Sequence, residues 1–194
     1  LEDLAATGGS IGQALDISRN EIGAARYAGI GMLVRVSDGA TVSQSGTLSG
    51  NLVAGETGAG GGGGLVSFLY TDTGGGATQA LTLTANSFTN NAANGLYLKA
   101  FATTAGGPAL QTLSLSANVI DGNGNDGVHA LASGAAATQT VTFVNGSNNS
   151  ITNNAGVGVY GRNAAGAVQA ISLGNSVITG NGTSTGGNAV FSNP

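Results

Sequence analysis

Every glutamine in this 194-residue chain falls at one phase of a repeat. Gln13, Gln44, Gln79, Gln111, Gln139 and Gln169 follow one another at steps of 31, 35, 32, 28 and 30 along the chain. Self-similarity at such a period calls for one supersecondary unit per copy. A unit this small cannot enclose its own apolar side chains, so the copies must stack and share one continuous core.

The residues after each glutamine show what the unit is. Two positions on stand Leu15, Gly46, Leu81, Leu113, Val141 and Ile171; four positions on stand Ile17, Leu48, Leu83, Leu115, Phe143 and Leu173. Between them lie Asp16, Thr47, Thr82, Ser114, Thr142 and Ser172. Apolar residues alternating with small polar ones have the period of a strand with one buried face. Asparagine follows at Asn20, Asn51, Asn86 and Asn118, then at Asn149 and Asn175, each ahead of an apolar residue (Ile22, Val53, Phe88, Ile120, Ile151, Ile178). Asparagine tolerates left-handed backbone and suits a sharp bend. Stacked Asn side chains can also bond from one copy to the next. A second strand follows, as in Gly95-Leu96-Tyr97-Leu98 and Gly156-Val157-Gly158-Val159. Loops of small residues such as Thr73-Gly74-Gly75-Gly76 then close the unit, and insertions are expected to concentrate there. No segment carries a capped 3.6-residue apolar pattern.

Direct stacking places Leu on Leu and Ile on Ile, each buried aliphatic contributing roughly 1.5–3 kcal/mol. Strands at equivalent phases then run parallel at about 4.8 Å. The string Leu-x-Leu-x-x-Asn-x-Ile-x-x-Asn followed by Gly-Val resembles the coil repeat of right-handed parallel β-helices. It is clearest in Leu113-Ser114-Leu115, Asn118-Val119-Ile120, Asn123 and Gly127-Val128. The resemblance runs from about Gln13 to Phe191 and is nearest to autotransporter passengers and bacterial surface adhesins; polysaccharide lyases and hydrolases share the architecture. It implies an all-β, single-stranded right-handed solenoid of about six coils, each of roughly 31 residues. One domain would cover residues 1–194, with 1–12 as an entry segment and coils starting near each glutamine. A propeller or sandwich of similar period is the alternative, but the Trp-Asp-like signature of propeller blades is missing.

Composition narrows the function classes. Charged residues make up 7% and the formal net charge is −4. Arg19, Arg26, Arg35, Lys99 and Arg162 are scattered along the chain, which argues against nucleic acid and against an anionic membrane surface. Cysteine is absent, so thiol chemistry and disulfides are excluded. No window of about twenty apolar residues is present, so no membrane-inserting helix is expected.

Candidate chemistry is sparse. The nine acids occupy different phases, and beyond the first three residues Asp121 and Asp126 form a close pair. The stretch from Asp121 to His129 nearly matches a calcium-binding nonapeptide, but that motif acts by tandem repetition and here occurs once. Asp121 and Asp126 are thus weak metal candidates, and no catalytic residue or cofactor is expected. His129, alternating with Val128 and Ala130, is expected to point outward into solvent. The glycine run from Gly58 to Gly64 lacks the Lys-Ser/Thr of a phosphate loop and reads as a bend. Arg26 beside Tyr27, and Tyr160 near Arg162, read as isolated surface pairs.

One surface feature recurs. Thr82 and Thr84, Ser114 and Ser116, Thr142, and Ser172 are expected to stack into a strip of hydroxyls and form a possible contact surface. Together these features suggest a non-enzymatic extracellular structural or adhesive solenoid, part of a longer bacterial surface or secreted protein or filament. Its expected partners are a host or neighbouring-cell surface, a glycan, or a second copy stacked end to end. A carbohydrate-active β-helix and an ice-binding solenoid are the alternatives.

Overall fold

A computed structural model describes residues 2–4, 8–57, 63–182 and 189–192, the first and last of these spans as backbone only. Parts of the entry segment, most of the glycine run and Gly187-Asn188 lie outside the described residues. The strands form three parallel sheets stacked as a β-solenoid, and no helix occurs among the described residues. The glutamine sheet contains Ser10–Ser18, Thr41–Ser49, Gly76–Thr84, Ala109–Ser116, Ala137–Phe143 and Val168–Ser172. A corner sheet of three-residue strands follows at Glu21–Gly23, Leu52–Ala54, Ser87–Thr89, Val119–Asp121, Ser150–Thr152 and Val177–Thr179. The third, the aromatic sheet, contains Glu2–Leu4, Ala28–Val36, Gly63–Thr71, Asn94–Ala102, Val128–Ser133, Val159–Ala164 and Ala189–Ser192.

The expected columns form. Leu15, Gly46, Leu81, Leu113, Val141 and Ile171 are successive register partners. Ile22, Val53, Phe88, Ile120, Ile151 and Ile178 make the corner column. Gly46 leaves a gap in the first column, and the Leu81 side chain fills it: a Cβ at Gly46 would lie 2.9 Å from the Leu81 Cδ2. Six glutamine-phase copies mark six levels but bound only five intervals. The solenoid therefore completes about five turns, one fewer than the copy count suggests, each of about 31 residues.

The glutamines are the central surprise, because they point inward. Gln44, Gln79, Gln111 and Gln139 are buried, and each donates its side-chain N–H to the oxygen of the glutamine one coil earlier, at 2.6–2.8 Å. Gln169 continues the row onto Gln139 at 2.6 Å. This polar row divides the core. On one side Leu48, Leu83, Leu115 and Phe143 pack against Phe88, Ile120 and Ile151. On the other lies a narrow seam of Val36, Val42, Ala77, Ala109, Ala132 and Ala137. An amide can hold one donor and one acceptor along the stacking axis, so every internal member of such a row is satisfied.

Two asparagine ladders brace the bends. In the first, the backbone N–H and Nδ2 of Asn20, Asn51, Asn86 and Asn118 each donate to the Oδ1 of the next member, ending on Asn149. In the second, Asn91, Asn123 and Asn154 do the same, ending on Asn181.

Three sequence expectations need correction. The first concerns backbone conformation. The ladder asparagines are not the left-handed residues; the residue before each one is, as at Arg19, Gly50, Ala85, Ala117 and Asn148. Asparagine is needed there for its two-way amide rather than for left-handed backbone. The second is Asn175, which is not a rung: pairing of Ser150 with Val177 puts Ser176 at that phase. The third is the location of insertions. The first two corner strands pair Glu21 with Leu52, whereas the aromatic-sheet strands that follow them pair Ile30 with Leu65, a longer offset. The extra length of that coil therefore falls between Leu52 and Leu65. Asn145-Gly146-Ser147 lengthens the first bend of a later one, so all three corners vary.

Candidate functional site: an aromatic and cationic face

Alternate residues of the aromatic-sheet strands face outward, and the register sorts them into columns. Val66, Tyr97, His129 and Tyr160 form one; Leu33, Phe68, Lys99, Leu131 and Arg162 a second; Arg35, Tyr70, Phe101, Ser133 and Ala164 a third. Aromatic and aliphatic side chains suit a pleated surface and stabilise it through cross-strand pairs. Here the rings join into one chain. Phe101 to Tyr70 and Tyr70 to Phe68 are each 5.9 Å between centroids, and Phe68 to Tyr97 is 5.0 Å. Tyr97 to His129 follows at 5.2 Å and His129 to Tyr160 at 4.7 Å. Three of these contacts are edge-on, at 87–90°, the arrangement that the ring quadrupoles favour.

The cations gather on the same face. Three of the chain's five Lys and Arg residues stand on it: Arg35, Lys99 and Arg162. The Lys99 Nζ lies 5.2 Å from the Tyr70 ring centre and 5.5 Å from that of Phe101. Arg35 pairs with Asp72 at 3.3 Å in the open. Leu33, Arg35, Phe68, Tyr70, Asp72 and Phe101 line one shallow groove. Lys99, Leu131, Ser133 and Arg162 line another.

His129 does point outward, as its alternation suggests, but it is not simply solvated. It is half-buried between two tyrosines, and its Nδ1 lies 2.6 Å from Asp126 Oδ2. An ionised Asp126 can only accept, so Nδ1 carries the proton of this contact and Nε2 is left for an outside partner. Asp126 is itself buried and accepts the Val157 N–H at 2.8 Å through its other oxygen. Such a carboxylate fixes the tautomer and orientation of its imidazole.

The two weak metal candidates serve different partners. Asp121 accepts from Thr152 Oγ1 at 2.5 Å and from Asn153 Nδ2 at 2.9 Å, whereas Asp126 holds Val157 and His129. Among the described residues, no group of three or more His, Asp or Glu is placed to hold a metal ion. The hydroxyl strip is present as columns. Thr82, Ser114, Thr142 and Ser172 are register partners, and Thr84 pairs with Ser116, all on the outside of the glutamine sheet. Arg26 stacks over Tyr27, 5.6 Å from its ring centre. Tyr160 and Arg162, an isolated pair in the sequence, belong to the ring chain and the cation column.

Sequence reasoning also missed Glu56. It takes the phase of the second asparagine ladder, one coil before Asn91, and its N–H donates to Asn91 Oδ1 at 3.3 Å. Its side chain is buried, and among the described residues neither oxygen makes a well-formed hydrogen bond, the Ala25 backbone amide being the one weak donor nearby. Burial pushes its carboxyl above the ordinary value near 4.5, offset only in part by the Ala25 backbone amide. The folded state therefore holds the Glu56 proton more tightly than the unfolded state. Its contribution to stability is fullest below the unfolded pKa and declines as pH rises through the folded one. Glu56→Asn would supply the missing rung. Thermal melts are expected to show it more stable than the parent at pH 7, by about 1–3 kcal/mol. The gap should narrow on acidification towards pH 4.5; an unchanged or widening gap would refute this account of Glu56.

Comparison with known proteins returns no matching family model, no matching curated protein and no matching solved structure.

Proposed function

We propose that this chain is a non-enzymatic structural and adhesive segment of a longer bacterial surface or secreted protein or filament. On this reading it acts outside the cell, as autotransporter passengers and adhesin solenoids do. The ladders make a stiff rod, and the aromatic sheet presents its contact face. One observation carries the reading: six rings, from Phe101 to Tyr160, form a continuous outward array in a chain with only nine Phe and Tyr residues and one His. Rings contribute most to stability when buried; a connected set left half-exposed marks a binding surface. Sugars and partner proteins both use such surfaces, because a rigid ring loses little entropy on contact.

A glycan array probed with the parent and with Tyr97→Ala/Tyr160→Ala tests the proposal. Retention of a glycan class by the parent is expected, with affinity lower by about tenfold or more in the variant. Both proteins should give the same circular dichroism spectrum. Absence of retention, or retention that the variant leaves intact, would remove the contact role from this face. The Asp126–His129 pair favours a second reading, cleavage of a polysaccharide with His129 as general base. That reading requires release of reducing ends or unsaturated products, abolished by His129→Ala.

A further inference from the structure

We propose that the aromatic face binds a linear acidic polysaccharide, with Tyr97, His129 and Tyr160 stacking on sugar rings while Lys99 and Arg162 pair with carboxylates. This rests on the contact role just assigned to the face and adds the chemistry of its ligand. The first argument is charge. The whole chain carries −4, yet this face holds three permanent cations against Asp72 and Asp126. Asp72 is paired with Arg35, and Asp126 is buried behind His129. Glu2 shares the Lys99 column, but three strands away at its far edge. Lys99 and Arg162 form no ion pair with an acid among the described residues, so they are the charges left over for a ligand.

The second argument is spacing. Lys99 and Arg162 belong to one column with only Leu131 between them. They therefore stand two strand spacings apart, roughly 10 Å along the rod. Charges this far apart suit carboxylates carried on alternate sugars of an extended chain. Nucleic acid presents closely spaced phosphates and takes many more cations to neutralise. The Tyr97, His129 and Tyr160 column runs beside the cation column in the same direction, so one strand of sugar can touch both. With Nδ1 engaged by Asp126, His129 Nε2 adds a polar atom for a sugar hydroxyl.

Hyaluronan, whose carboxylates fall on alternate sugars, and its fully carboxyl-methylated form make the matched probes. Both would be titrated by fluorescence against the full chain, Lys99→Gln/Arg162→Gln, and Tyr97→Ala/Tyr160→Ala, with a short oligothymidine as a third probe. The parent is expected to bind hyaluronan about tenfold or more tightly than the methylated form. Lys99→Gln/Arg162→Gln should erase that preference and flatten the salt dependence, while its melting temperature stays near that of the parent. Equal affinity for the two hyaluronans, sensitive to Tyr97→Ala/Tyr160→Ala but not to loss of the cations, would overturn the acidic ligand and leave the contact face standing. Binding of neither polymer, or binding that no variant weakens, would overturn both. Tighter binding of oligothymidine than of hyaluronan would overturn the assignment to a polysaccharide.

Discussion

Asn118→Leu is expected to lower the unfolding free energy by about 4 kcal/mol, measured by chemical denaturation, although leucine matches asparagine closely in size. Asn118 is fully buried in the interior of the first ladder. Its Oδ1 accepts from both the backbone N–H and Nδ2 of Asn86 at 3.0 Å. Its Nδ2 donates to the Leu83 carbonyl at 2.8 Å and to Asn149 Oδ1 at 3.2 Å. Leucine removes all four bonds and supplies nothing to the groups left behind. The loss exceeds that of an ordinary hydrogen bond because buried donors and acceptors are stranded on both neighbouring coils. Asn20→Leu, at the exposed end of the same ladder, strands fewer groups and is expected to cost about 1 kcal/mol. Equal effects at the two positions would mean that the ladder does not act as a buried cooperative row.

Gln111→Glu is expected to be as damaging at neutral pH and to recover in acid. The Gln111 Nε2 donates to Gln79 Oε1 at 2.8 Å and to the Ser67 carbonyl at 3.2 Å. A glutamate of the same shape turns that donor into an oxygen facing two acceptors, in a site with 1% exposure. Burial with two acceptors on one oxygen, and only the Gln139 N–H donating to the other, raises a carboxyl well above its ordinary value, at a cost of about 4 kcal/mol at pH 7. Because the folded pKa is the higher one, the penalty is full above it and fades as pH falls towards the unfolded value near 4.3. Denaturation at pH 7 and at pH 4 would show this. Gln169→Glu, half-buried in the last coil, should show a much smaller pH dependence. A pH-independent loss at position 111 would place the glutamine side chain outside the core.

The fold was legible because stacking demands chemical likeness at fixed spacing. Apolar alternation around Leu81, Leu113 and Val141 is visible in the text of the chain, and those residues occupy one column. Asn51, Asn86 and Asn118 announced the bends for the same reason. The orientation of the glutamines was not legible, since a polar residue on a strand ordinarily faces water. Only the stack shows that each amide finds its partner in the next coil. The aromatic face was hidden for a related reason. Tyr97, His129 and Tyr160 stand one coil apart, and their chemical types differ from coil to coil. Inward positions repeat because they share one environment; outward positions are free to vary, so no periodic signal marks them. Glu56 was obscured likewise, an acid standing where its column otherwise holds asparagine.

The most direct test of the whole account is a methyl-resolved NMR experiment on protein labelled at Leu, Val and Ile. Cross-peaks are expected from the Leu113 methyls to those of both Leu81 and Val141, with Val141 in turn reaching Ile171. Leu113 methyls that contact neither Leu81 nor Val141 would contradict the stacked columns, and with them the face built on their outer side.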